Sequence, residues 1–211
     1  MLPYAEPPFK LTDTYTGTDS DGNLVNDELL GKIYFHPVKG STDASGRACG
    51  RPIKAMIVRN ESGGALLGKR VVKFTNTAGY SNLKSIDGYA TVLASGRHAF
   101  LPNLASAGVA DDDLCWVVLE GPTTVLTPIA GTDFTGAITV GSPLVNSTGT
   151  TTGATTSGRI SNVTFPGATA GDTTAGLNAF SMAANILGVA LSTRTTSETA
   201  TDLLVHATIR W

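Results

Sequence analysis

Charge is what this chain has least of. Only 15% of its 211 residues are Asp, Glu, Lys or Arg, against the roughly 25% usual in a soluble domain, so its surface must be built mostly from Thr, Ser, Asn and Gly. A surface of that kind suits a protein that spends its life packed against other proteins, although β-rich extracellular modules share it. The formal net charge is −2 and the isoelectric point is near 5.9. No basic field exists to hold phosphates by counterion release, and nucleic acid is not an expected partner. Cysteine is nearly absent too. Cys49 and Cys115 are the whole complement, too few for a disulfide-dense scaffold, and buried free thiols are the expectation. No apolar run approaches the ~20 residues that span a bilayer, so no membrane is expected. The opening MLPYAEPPFK has no basic region followed by an apolar one, so no secretory leader is expected, and the product is expected to be made and kept in a cytoplasm. Glycosylation-like triplets at Asn60, Asn146 and Asn162 then read as chance products of an Asn/Thr/Ser-rich sequence.

A hydrophobic fraction of 41% excludes disorder as a description of the whole, and the length suffices to bury a core without metal or disulfide staples. The clearest signal is Asp111 to Pro122, DDDLCWVVLEGP. An acidic turn leads into Cys115, Trp116, Val117, Val118 and Leu119, a buried-type strand, and Gly121-Pro122 is expected to end its ladder because proline has no N–H to give. Trp116 is expected to be a core residue, since both faces of the strand are apolar. More charge precedes this strand than follows it, which makes it the seam between two β modules. The expected fold is all-β: two small barrel- or sandwich-like modules, residues 51–122 and 123–211, preceded by an extended N-terminal arm, residues 1–50.

The arm carries prolines at 3, 7, 8 and 37, and its irregular apolar residues (Leu2, Tyr4, Phe9, Leu11, Tyr15) predict docking on a surface of other subunits. NDELL, Asn26 to Leu30, allows one helical turn with Asn26 as cap and Gly31 closing it. In the first module the predicted strands are Ile53 to Asn60, Lys69 to Phe74, Gly88 to Ala94 and the seam. In the second they are Thr123 to Ile129, Ala137 to Val140, Pro143 to Asn146, Arg159 to Phe165, Ile186 to Leu191 and Leu203 to Arg210. Ser147 to Gly158, all small and polar, predicts a loop or hairpin tip, and Gly176 to Asn185 allows a helical turn.

Chemistry-bearing motifs are weak. GGALLGKR, Gly63 to Arg70, has phosphate-loop spacing but puts Arg70 where a magnesium-binding hydroxyl belongs, and a strand follows it where a helix is required, so a hairpin turn is expected. Asp19, Asp21 and Gly22 open like a calcium loop that Asn23, Leu24 and Val25 fail to continue and Glu28 closes too early. Asp111, Asp112 and Asp113 point in different directions on an extended chain, which makes a solvated turn the expectation over a cation site. His36, His98 and His206 are scattered, and no nucleophile elbow or His/Cys ligand spacing occurs. No catalytic, cofactor-binding or metal-ligating residue is expected, and the chain is not expected to be an enzyme.

Three stretches resemble the capsid decoration, or cement, proteins of tailed bacteriophages. VRNESGGALLGKRVVKF (Val58 to Phe74) resembles their opening of a valine, an Asn, a small-residue turn and Gly-x-x-Val. LPNLASAGVADDDLCWVVLEGP (Leu101 to Pro122) resembles their acidic turn, Trp-containing strand and Gly-Pro. ILGVALSTRTTSETATDLLVHATIRW (Ile186 to Trp211) is similar to their closing strand pair. The resemblance implies a structural virion protein on the outer surface of an icosahedral head, usually a homotrimer, which bridges and stabilises major capsid subunits and needs no active site or cofactor. The alternative is an adhesive or sugar-binding β module of a phage fibre or cell surface. That role calls for an exposed aromatic platform, which aromatics at 7% do not obviously supply.

Overall fold

A computed structural model describes residues 6–36, 52–77, 80–90, 97–105, 108–127, 137–146, 159–162, 186–195 and 202–208. It is essentially all-β. After a 3-10 turn at Asp27–Leu29 come β1 (Ile33–His36), β2 (Ile53–Asn60), β3 (Arg70–Thr77), β4 (Tyr80–Tyr89), β5 (His98–Leu101), β6 (Leu114–Leu126), β7 (Pro143–Asn146), β8 (Ile160–Asn162), β9 (Gly188–Ala190) and β10 (Asp202–Thr208). The spatial order is β1-β2-β4-β3-β5-β6-β10-β9-β7-β8, and β6 also pairs β2. That extra pairing closes β2, β4, β3, β5 and β6 into a five-stranded barrel, which removes the strand edges an open sheet would leave. All the pairings are antiparallel except β2 with β4, which run parallel at Arg59↔Ser85 and Asn60↔Ile86.

Alternation along the barrel strands sorts their side chains into an inside and an outside. Inside lie Met56, Val58, Val72, Phe74, Ile86, Ala99, Leu101, Cys115, Val117 and Leu119, which form one buried cluster. The outer face is buried as well, in two places. Ala55, Ile57, Leu114 and Trp116 lie under Phe9, Leu11, Leu29, Leu30 and Tyr34 of the N-terminal arm. Val71, Phe100 and Val118 join Val125, Leu144, Leu187, Leu203, Val205 and Ala207 of the outer strands in a second cluster. Strands of β2 and β6 are therefore apolar on both sides because each separates two cores.

The structure corrects the expectation for Gly121-Pro122. The strand does not stop there: β6 runs 13 residues, to Leu126, and so crosses the boundary expected between residues 122 and 123. Its first half pairs β2 from Leu114 to Glu120, with a register shift at Lys54/Ala55, and its second half pairs β10 from Glu120 to Leu126. Leu204 and Thr208 bond toward β9, through Leu191 and Leu187, so by alternation Leu203, Val205 and Ala207 bond toward β6, opposite Val125, Thr123 and Gly121. Pro122 thus has its nitrogen turned away from β10, where the missing N–H breaks no ladder bond. Gly121, at φ 109, lies against the backbone of Pro52 and Ile53, where a Cβ would come within 3.0 Å of Ile53 Cα.

Other boundaries move. The strand predicted at Gly88 to Ala94 is the end of a longer one, β4, that begins at Tyr80, and β5 is a strand the pattern did not predict. Residues 123–126 continue β6, and Ala137 to Val140 contributes only an isolated bridge, Ile138↔Arg194. Asn26 is no side-chain cap: it is left-handed, at φ 64, and its amide donates to Thr16 O instead. Ser147 to Gly158 and Gly176 to Asn185 lie outside the described residues, as does Cys49.

Candidate functional site

The densest polar arrangement in the described residues is the place where the N-terminal arm is fastened to the barrel. Residue 59, at the end of β2, belongs by alternation to the outer face that carries Ala55 and Ile57, so its guanidinium comes up beneath the arm. It is 1% exposed. Nη1 donates to Gly17 O at 2.7 Å and to Asp112 O at 3.0 Å, while Nη2 donates to Val25 O at 2.8 Å and to the Asp27 carboxylate. One side chain thus ties two arm carbonyls, an arm carboxylate and the acidic turn together. Arginine can do this because its donors form a rigid planar fork.

Asn60, fully buried, does the same inside the barrel's end. Its amide nitrogen donates to Gly64 O, Val109 O and Ala110 O, and its oxygen accepts from Ser62 N. That engagement leaves no room for a glycan on Asn60 in the folded chain. The acidic turn completes the hub. The Asp111 carboxylate accepts from Gly63 N, the Asp113 carboxylate accepts from Gly17 N at 3.1 Å, and Asp112, at φ 64, presents its carbonyl to Arg59. All three residues are structural fasteners, Asp111 and Asp113 through their carboxylates and Asp112 through its carbonyl, where a merely solvated turn was expected. The approach is close: a Cβ on Gly17 would stand 1.7 Å from Asp112 O, so only glycine fits.

Beside this hub, Trp116 is fully buried, as expected, but what covers it is the arm. Phe9 and Tyr34 lie 5.1 and 5.4 Å from it by ring centroids, His36 packs edge-on at 4.6 Å, and the indole N–H donates to Phe9 O at 3.2 Å. A backbone bridge, Tyr15↔Leu114, runs alongside. The described arm residues are held by their own barrel.

The histidines do not converge. His36 sits against Trp116, His98 begins β5 and His206 lies in β10. Burial lowers the pKa of His36, and burial with the nearby Lys73 charge lowers that of His98, so both favour the neutral imidazole. Burial, with Asp113 adding, pushes the Cys115 thiol far up, which leaves it unreactive. In the phosphate-loop-like stretch Lys69 pairs with Asp202 at 2.6 Å and Val71 is already in a strand. In the calcium-loop-like stretch the Asp19 carboxylate is occupied by its own turn, accepting from the backbone N–H groups of Asp21 and Asn23 and from the Asn23 side chain, which lowers its pKa. Among the described residues no group of three His, Cys, Asp or Glu could hold a metal ion, and no helix is long and apolar enough to cross a membrane.

The sequence pattern puts Arg59 inside the predicted strand Ile53 to Asn60 without a role and reads Asn60 as a chance triplet. A usable signal was present: a charged residue and an amide directly continue an apolar strand, IKAMIV, at a depth where polar groups need partners. Comparison with models of protein families, with curated proteins and with solved structures found no match to this chain.

Proposed function

We propose that this chain is a structural virion protein, a decoration or cement protein that binds the outer surface of an icosahedral phage head as a homotrimer and stabilises contacts between major capsid subunits. The observation that carries this reading is that the three stretches resembling such proteins make one hydrogen-bonded framework. Arg59 and Asn60 of the first bond Val109, Ala110, Asp112 and Asp113 of the second, and β10 of the third pairs β6 over seven residues, of which Glu120, Gly121 and Pro122 belong to the second. Low surface charge supports it. So does the placing of exposed large apolar side chains: of the six more than 40% exposed among the described residues, four, Tyr15, Leu24, Ile33 and Phe35, belong to the arm and β1, and Leu67 and Val140 lie elsewhere. The arm side is accordingly the proposed capsid-facing side.

Sedimentation of the purified protein, alone and mixed with empty heads of its phage, tests the proposal. The expected result is a trimer that pellets with the heads, its binding weakening only modestly from about 50 to about 500 mM salt because contact is mainly apolar and hydrogen-bonded. Protein that stays in the supernatant and binds glycans instead would favour the adhesive reading.

A further inference from the structure

The outer strands are apolar on both faces, and the barrel covers only one of them. Val125, Leu203, Val205 and Ala207 are buried toward the barrel. By alternation Thr124, Leu126, Leu204, His206, Val189 and Pro143 point the other way. The register sets these side by side: Leu204 is opposite Thr124, His206 is opposite Val189, and Val189 is opposite Pro143. All of them are partly exposed, Val189 to 36%. The solvent side of an antiparallel sheet is ordinarily polar. On this one no Asp, Glu, Lys or Arg lies between Glu120 at one end and Asp202, paired with Lys69, at the other. The arm side is different, because Glu6, Asp19, Asp21, Asp27 and Glu28 are exposed there against Lys10 and Lys32. Two copies set arm to arm would bring like charges together, which opposes pairing, whereas two copies meeting on the outer sheet would take no ion out of water.

We infer that the outer face of β6, β10, β9 and β7 is where this chain meets a second copy of itself. The inference rests on the homotrimer reading above and assigns its contact surface, with the arm side left for the shell. The centre of a subunit interface is depleted of charge, as this face is. In a closed ring every copy presents the same surface, so a face without charge meets no like charge across the symmetry axis. The strands β2 and β6 are apolar on both sides because each separates two cores; β10 and β9 are so because the second layer comes from the neighbouring subunit.

The test is sedimentation velocity of the full-length protein across a concentration series, with circular dichroism to check folding and pelleting with empty heads run in parallel. The wild type should sediment as an oligomer. Val189→Lys, at an exposed position, should keep the β spectrum and raise the subunit dissociation constant at least about a hundredfold, because the lysine would be buried without a partner. Leu24→Lys, on the arm side, should leave that constant unchanged. If Val189→Lys does not fold, Thr124→Lys on the same face takes its place. A wild type that is monomeric at every concentration overturns the inference, as does a Val189→Lys protein that is as oligomeric as the wild type. Val189→Lys that stays oligomeric but no longer pellets with heads also overturns it and gives the face to the shell. The capsid reading fails separately: an oligomer that Val189→Lys dissociates, but that never pellets with heads, upholds the sheet contact and removes the head as partner.

Discussion

The two coverings of the barrel are fastened in different ways. On one outer face the N-terminal arm is clasped by a polar hub in which Arg59, Asp113 and the Trp116 indole each bond its backbone. On the other face the outer strands are joined by the continuous β6–β10 ladder and an apolar cluster with Val71, Phe100 and Val118 as its floor. Hydrogen bonds to a charged group are directional and are lost together when one side chain is removed, whereas an apolar interface loses stability in proportion to the area and volume deleted. The arm should therefore release as a unit, and the outer sheet should weaken by degrees.

The largest effect is expected at the shared strand. Trp116→Ala removes the indole from between the barrel and the arm and should cost about 3–5 kcal/mol, read as a lowered urea midpoint with early proteolysis of the arm. Unchanged stability would mean that the arm does not depend on this side chain. Next, Leu203→Ala, in the cluster under the outer strands, should cost about 2–5 kcal/mol while leaving the arm as resistant to protease as before. Loss of arm protection in that variant would erase the distinction between the two coverings. Arg59→Met keeps bulk but strands the Val25 and Asp112 carbonyls and takes from Gly17 O one of its two donors; a cost of about 1–3 kcal/mol is expected, concentrated in the arm. Gly17→Val should mimic it by collision with Asp112 O.

The smallest effect is expected from pH. The pKa values of His36 and His98 lie below the ordinary 6.5 in the folded chain. Between those values and 6.5 the unfolded chain takes up protons that the folded chain refuses, so stability is full above about pH 6.5 and declines as pH falls through that window. Urea midpoints measured across it should drop toward acid, and His36→Phe should lessen the drop. A midpoint that rises on acidification would contradict the buried, neutral assignment.

How far the sequence could be read depended on whether one local rule governed a segment. Ile53–Asn60 and Pro143–Asn146 were legible because apolar runs end at turn residues, and the strands match the predicted spans. β4 was mostly missed: its early part, YSNLKSID, is too polar to show a period, and it is a strand because β3 and β2 flank it. Gly121-Pro122 misled because proline's missing donor was read without knowing that the strand changes partners there. Arg59 and Asn60 could not be assigned from spacing at all, since their acceptors, Gly17 and Val109 among them, stand 42 and 49 residues away. Long-range backbone acceptors carry no side-chain signature.

Amide hydrogen exchange tests the clasp most directly. Gly17 N donates to the Asp113 carboxylate, Val25 N to Gly17 O, and Leu114 N to Tyr15 O. These three amides should be protected in the wild-type protein and should lose protection together in Arg59→Met, while Leu204, bonded across the outer strands to Ser192 Oγ, keeps its own. Arm amides that exchange at unprotected rates in the wild type, or that are indifferent to Arg59, would contradict the account.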